Sequence, residues 1–296
     1  MSKLVGDKQS QTVSDGSFAV QVHGNITYSG LSYNDVKDIC VDMMRANFPI
    51  LREDARKLSM EYVEQFGQKF FERIAKEDAA KAEEKLKTPD IQAAINSSVV
   101  HVARMTNKSH QDILCELLVE KIKENQDEKN IILNEAIDIT SKITINQIKY
   151  VAFVYLLRNA FPVKNVDGYK IRNEDPNVQY NYYENTIPDL IGNEAYNIDM
   201  HFMVYKGLCV STMGLTSYST PLTSLLRNNT GKLVSDYKGE TKITDGDGLS
   251  INFPKLTNII KKFGFDQISA LDGSPITKLS QEVAKAYLRT QGIPLN

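Results

Sequence analysis

The chain has 296 residues, of which 42% are hydrophobic and 24% are charged, values typical of soluble globular proteins and unlike those of disordered or fibrous ones. Its 35 basic and 37 acidic residues leave a net charge of -2, so the overall charge provides no attraction toward nucleic acid or an anionic membrane. The three cysteines, Cys40, Cys115 and Cys209, lie far apart in apolar surroundings, which predicts reduced core thiols in a cytoplasmic protein. The longest apolar run, Tyr150 to Leu157, is far shorter than the ~20 residues of a membrane-spanning helix, so no membrane span is predicted.

The beginning of the chain combines a polar tail with a short alternating segment. Residues 1–17 are rich in Ser, Gln and Asp and are predicted to form a disordered tail. Apolar and polar residues then alternate, with Phe18, Val20 and Val22 on the same side. Residues 18–30 are therefore predicted to form a β arm or hairpin.

Helical periodicity dominates the next part of the chain. Ser32 and the acid three residues later have the spacing of a capping box, which predicts the start of the first helix. A longer helix with an aromatic stripe follows between Leu51 and Ile74, and Thr144 with Gln147 predicts another capping box. Residues 31–160 are therefore predicted to form a helical bundle.

The composition and periodicity of the sequence change after residue 160. The segment from Val163 to Thr186 is dense in Asn, Asp and Tyr and lacks a helical period, which predicts an irregular connection. Helical spacing returns later, and two helices close the chain at Pro254–Phe263 and Thr277–Thr290. We predict that residues 161–296 form a second α-rich unit, so the fold class is mainly α, with helical bundle units and a short N-terminal β arm.

The common catalytic and cofactor signatures are absent from the sequence. It contains no P-loop, no G-x-G-x-x-G, no G-x-S-x-G and no H-E-x-x-H motif. The four histidines have no paired spacing with one another or with the cysteines, so neither a metal site nor a cofactor is predicted. The run from Asp245 to Gly248 resembles the start of a calcium loop, but Leu256 occupies the twelfth position, where that loop needs Glu, so a turn is predicted.

Two tripeptides support an alternative enzymatic hypothesis. Asp236 with Lys238, and Glu240 with Lys242, have the carboxylate-x-lysine form of metal-dependent nucleases, and Asp189 supplies a further acid. In that chemistry the acids hold the metal ion and a lysine steadies the attacked phosphate or the water. Such tripeptides also occur by chance, and a solvated hairpin is the other interpretation of this segment.

A tyrosine group within residues 161–296 predicts either a binding surface or a packed connection. Tyr180, Tyr182 and Tyr183 bring a large contact area at small entropic cost, which suits a partner-binding surface. No basic residue lies between Gln179 and Pro188, so nucleic acid is disfavoured and an unidentified protein partner is favoured. The alternative is that the three rings pack over the second helical unit.

The β arm also predicts self-association. Short strands are marginal unless they are paired, and the surrounding helices offer the arm no sheet, so we expect it to pair with copies from other subunits. The aromatic stripe of the second helix would then pack beside its counterpart. The predicted oligomerisation residues are Val20, Gln21, Val22, Gly24, Asn25, Ile26, Thr27, Leu31, Tyr62, Phe66 and Phe70.

The stretch from Gln21 to Asn47 carries a resemblance to a known family. It contains the runs Gly24-Asn25-Ile26-Thr27 and Gly30-Leu31-Ser32-Tyr33-Asn34-Asp35-Val36. This stretch resembles the N-terminal part of an uncharacterised bacterial protein family whose similar openings recur in bacterial conflict and antiphage systems. The resemblance implies a self-associating module in a defence setting and carries over no catalytic residue. The leading hypothesis is a non-enzymatic, homo-oligomeric interaction, scaffold or sensor protein, and the alternative is a metal-dependent nuclease or other hydrolase.

Overall fold

A computed structural model describes most of the chain. It covers residues 32–48, 53–77, 79–194, 196, 198–210, 218, 220–232 and 248–293. This part of the chain is mostly helical, as predicted, and its one sheet is a two-stranded antiparallel hairpin. The predicted tail at 1–17, the β arm at 18–30 and the tripeptides at 236–242 lie outside the described residues. Among the helices that the structure describes, none is both long and apolar enough to cross a membrane.

The chain forms two compact units that interleave in sequence. The first comprises Met1–Gln111 and Leu118–Glu124, and the second comprises Asp112–Leu117 and Asn125–Asn296. The division predicted after residue 160 falls inside the second unit. There the helix that ends at Arg158 packs against the last helix of the chain, so the two form one core.

The first unit is a helical bundle. Its elements are α1 (Tyr33–Asn47), α2 (Glu53–Ile74), α3 (Ala79–Leu86), α4 (Pro89–Val102) and parts of α5 (Lys108–Lys123). Helices α1 and α4 both pack against α2. They cover Phe66 and Phe70, which are fully buried with their ring centroids 6.2 Å apart, while Tyr62 is half-buried. The aromatic stripe was predicted to face another subunit, but Phe66 and Phe70 lie in the core of their own unit.

The start of α1 confirms the predicted capping box. The Oγ of Ser32 accepts a hydrogen bond from the backbone N–H of Asp35 at 3.3 Å. The carboxylate of Asp35 accepts in return from the backbone N–H of Ser32 at 2.7 Å. These two bonds satisfy donors that an uncapped first turn would leave without partners.

The second unit is built around one apolar helix. Its elements after α5 are α6 (Asp127–Thr140), α7 (Ile145–Arg158), β1 (Val163–Val166), β2 (Tyr169–Arg172), α8 (Pro176–Asn181), a π-helical turn (Tyr182–Thr186), α9 (Ile187–Ile191), α10 (Met200–Tyr205), α11 (Leu222–Thr230), α12 (Gly248–Asn252), α13 (Pro254–Lys262), a 3₁₀ turn (Ile268–Leu271) and α14 (Lys278–Thr290). Helix α7 begins at the predicted capping box of Thr144 and Gln147 and is buried along most of its length. Helix α14 packs against both α7 and α6.

The segment predicted to be irregular, 163–186, is instead a hairpin followed by helical turns. Asp167 and Gly168 form its two-residue turn with positive φ angles of 49° and 83°, a combination that matches the twist of an antiparallel pair. Asp175 then caps α8, and Pro176 occupies the first turn, where a missing N–H costs nothing. Turn and capping chemistry, which do not produce a helical period, determine the structure of this segment.

Replacing Ser32 by Ala is expected to lower the free energy of unfolding by about 1 kcal/mol, because the first turn of α1 loses its side-chain acceptor. Ser32→Asn, which retains an acceptor, is the matched control and should leave stability nearly unchanged. Chemical denaturation followed by circular dichroism measures both variants. Equal stability of wild type and Ser32→Ala would contradict the capping role.

Candidate functional site

The β1–β2 hairpin presents an exposed apolar face. Its register pairs Val163 with Arg172, Lys164 with Ile171, Asn165 with Lys170 and Val166 with Tyr169. Because cross-strand partners point to the same side of a sheet, Lys164, Val166, Tyr169 and Ile171 share one face. The three large apolar residues of this face are 42%, 75% and 43% exposed in chain order. No third strand covers the hairpin in the part of the chain that the structure describes.

Both edges of the hairpin carry open backbone groups. A two-residue turn makes its flanking pair, Val166 and Tyr169, a hydrogen-bonded pair, and such pairs alternate along the ladder. The N–H of Asn173 donates to the carbonyl of Pro162 at 2.8 Å, in phase with this alternation. The backbone groups of the intervening residues therefore point outward on each edge, and no strand of the described part of the chain pairs with them.

The base of the hairpin is anchored by Arg172. Its Nη2 donates to Oδ1 of Asn229 in α11 at 2.8 Å, and Nδ2 of Asn229 donates to the hydroxyl of Tyr183 at 2.9 Å. The guanidinium also lies 5.4 Å from the ring centroid of Phe161. This chain of contacts joins the second strand to α11 and to the π-helical turn.

Two of the three predicted partner-binding tyrosines lie inside the second unit. Tyr182 is 8% exposed and donates its hydroxyl to the carbonyl of Leu156 at 2.9 Å, and Tyr183 is 2% exposed. Burial is the main cause that raises the pKa of Tyr183, while the hydrogen bond from Asn229 acts in the opposite direction. Both rings therefore pack inside the second unit, and of the three tyrosines only Tyr180 is partly open to solvent.

Asp189 of the alternative catalytic set lies in a small cleft. It is exposed on α9 and lines a space of 330 Å³ together with Lys255 and Asn258. The other four members of the set, Asp236, Lys238, Glu240 and Lys242, lie outside the described residues. Within the described ranges, no three His, Cys, Asp or Glu side chains come together as metal ligands. The hydrolase alternative therefore stays a prediction.

The carboxylate of Glu184 caps α13, a role that the sequence pattern does not reveal. It accepts hydrogen bonds from the backbone N–H groups of Lys255 at 2.9 Å and Leu256 at 3.4 Å. Burial raises the pKa of Glu184, and these two donors lower it. Glu184, the acid next to the tyrosine group in sequence, therefore caps a helix terminus.

A buried ion pair joins the end of α7 to the start of α11. The side chains of Arg158 and Asp272 are each 5% exposed and form a hydrogen-bonded pair. Arg158 also donates to the carbonyl of Thr220 at 2.7 Å, and Asp272 accepts from the N–H of Leu222 at 3.0 Å. The guanidinium lies 4.2 Å from the ring centroid of Tyr218, which covers it. This cluster sets the position of α11 and therefore that of Asn229.

Comparison with protein families places most of the chain in one of them. The model of an uncharacterised family matches residues 30–291. Neither the curated proteins nor the solved structures provide a match. The family match includes the stretch from Gln21 to Asn47, on which the sequence resemblance rests, only from residue 30 onward, and it brings neither an activity nor an antiphage association with it.

Replacing Asp272 by Ala is expected to lower the free energy of unfolding by about 3 kcal/mol, because Arg158 is left as a buried charge without its partner. Glu128→Gln is the control, since it breaks the exposed ion pair with Lys278 and should cause no measurable loss. Urea denaturation of both variants measures the effect. A similar midpoint for the two variants would contradict the anchoring role of the buried pair.

Proposed function

This chain belongs to that uncharacterised family, and we propose that it is a non-enzymatic interaction protein that self-associates by strand pairing. In this proposal the N-terminal arm of one copy adds a strand to the β1–β2 hairpin of another. The observation that carries the proposal is the hairpin, because its edges and one apolar face are open in the described part of the chain.

Strand addition would stabilise this hairpin in two ways. Two strands alone are marginally stable in water, and a third strand pairs the outward groups of Asn165 or Lys170. Each new backbone hydrogen bond contributes about 0.5–1.5 kcal/mol net. Val166, Tyr169 and Ile171 are 42%, 75% and 43% exposed, and each side-chain pair that the new strand forms with its neighbour on this face adds roughly 0.2–1 kcal/mol.

A second hairpin is a poor partner for the first. Lys164, Lys170 and Arg172 place positive charge on both strands, and like charges opposed across a strand pair are destabilising. Lysine on an edge strand is also a common protection against pairing between identical edges. The charge pattern therefore favours an extended segment that carries no basic residues.

The N-terminal segment of the chain has this chemistry. Residues 9–36 contain no Lys or Arg, and Phe18, Val20 and Val22 alternate with polar or small residues. Alternation at this period places the apolar side chains of the segment on one side, so that an added strand would extend the exposed apolar face of the hairpin and turn its polar side chains to the other face. An arm from another copy is therefore the occupant that we propose.

The setting of this assembly is part of the same proposal. The resemblance of residues 21–47 supports a role in bacterial antiphage defence, where a self-associating scaffold or sensor would present its surface to an unidentified protein partner. The near-neutral net charge of -2 supports a protein partner over nucleic acid, and the reduced cysteines support a cytoplasmic location.

Charge on the apolar face is expected to break the assembly. Ile171→Glu places a carboxylate opposite Lys164, which keeps the hairpin folded and makes its face unsuitable for an apolar strand. Light scattering coupled to size exclusion should show a smaller species than wild type. Ile251→Glu is the matched control, because this residue is 65% exposed on α12, and it should leave the mass unchanged.

Deleting the arm should have the same effect as charging the hairpin. We expect removal of residues 1–17 to leave the mass of the assembly unchanged and removal of residues 1–29 to yield smaller species or aggregates, because only the longer deletion removes the alternating residues. A full-length oligomeric mass for the longer deletion, or a monomeric wild type, would rule out assembly through the arm.

A further inference from the structure

A small polar cleft lies at the base of the hairpin. The side chains that line it are different from those of the exposed apolar face. It has a volume of 320 Å³ and is lined by Arg172, Glu174, Pro176, Gln179, Asn228 and Asn229. The end of β2, the first turns of α8 and the end of α11 meet there, all within the second unit. Its volume is at the lower end of the range of small-molecule sites, about 300–1,000 Å³.

Gln179 contributes a buried acceptor to this cleft. Its side chain is 1% exposed, and its Nε2 donates to the backbone carbonyl of Asn173, which fixes the orientation of the amide. The opposite atom, Oε1, is buried and has no hydrogen-bond partner among the described residues. Buried polar atoms in native proteins are nearly always hydrogen-bonded, so this acceptor indicates a donor that binds there.

Arg172 contributes a buried donor to the same cleft. Its Nη2 is engaged by Asn229, as described above, whereas its Nε–H is buried and has no partner in the described part of the chain. The guanidinium is thus held in place through Nη2 and retains the Nε–H as a donor. A fixed guanidinium is well suited to bind a carboxylate.

The charges at the rim discriminate between classes of ligand. Glu174 is exposed and lines the same cleft as Arg172, so a simple anion would be repelled by the carboxylate while it is bound by the guanidinium. A simple cation would be attracted by Glu174 but repelled by the guanidinium of Arg172. A molecule that carries both a carboxylate and an ammonium group satisfies the donor, the acceptor and the rim charge together.

We propose that this cleft binds a small zwitterion of the amino-acid class. The carboxylate of the ligand accepts from Arg172, and its ammonium group donates to Oε1 of Gln179 and pairs with Glu174. The exposed amide of Asn228 is placed to contact the remainder of the ligand. This proposal does not depend on strand pairing, because the cleft is complete within one chain.

Isothermal titration of the full chain tests the proposal. The probes are the twenty free amino acids, with acetate and propionate as carboxylate-only molecules and propylamine as an amine-only molecule. At least one amino acid should bind saturably, and the single-charge probes should not bind at the same concentrations. Failure of all twenty amino acids to bind at millimolar concentration would overturn the proposal.

Two variants assign the binding to these residues. Gln179→Leu removes the acceptor at similar volume and should weaken binding about tenfold, while Gln291→Leu, at an exposed glutamine, should not change it. Glu174→Lys, at the exposed rim, should weaken amino-acid binding and allow propionate to bind. Unchanged affinity in both cleft variants would place the binding elsewhere and overturn the assignment.

The same titration separates this inference from the proposed assembly. Ile171→Glu alters the hairpin on the face opposite Arg172, so it should retain amino-acid binding even where the oligomer is lost. Loss of assembly with retained binding would support both proposals. Loss of binding in Ile171→Glu would contradict the independence of the cleft from strand pairing.

Discussion

The buried pair of Arg158 and Asp272 is the constraint on which the functional surfaces of the second unit depend. Arg158 ends α7, a helix that is buried along most of its length, and Asp272 accepts from the N–H of Leu222 where α11 begins. The hairpin follows α7 in the chain, and its base is bound by Asn229 at the far end of α11. A buried charge tolerates the loss of its partner poorly, so this pair holds both elements in one arrangement.

The hairpin has an exposed apolar side and a polar side that borders a cleft. Val166, Tyr169 and Ile171 form an exposed apolar face suited to strand addition, whereas Arg172 belongs to the other face and lines a polar cleft. Alternation of side chains along a strand makes this separation possible within four residues of each strand. The proposed assembly and the proposed ligand binding would therefore use different chemistry and respond to different substitutions.

The aromatic stripe of α2 shows what a helical sequence pattern predicts and what it leaves open. Helical spacing correctly identified Phe66 and Phe70 as residues to be covered, since an amphipathic helix buries its apolar side. The pattern did not identify what covers them, and α1 and α4 of the same unit do so instead of a second subunit. Periodicity specifies a face, and only packing specifies its partner.

Local chemistry accounts for what the sequence alone determined about this protein. The capping boxes at Ser32 and Thr144 depend on residues three positions apart, so the starts of α1 and α7 could be predicted without knowledge of the fold. The Asp167-Gly168 turn carried an equally local signal that helical periodicity does not detect. The cleft could not be predicted from the sequence and is formed by the tertiary structure alone, because Gln179 and Asn229 come from segments 50 residues apart. Only the packing of α8 and α11 brings them together and leaves a buried acceptor and a buried donor that have no partner among the described residues.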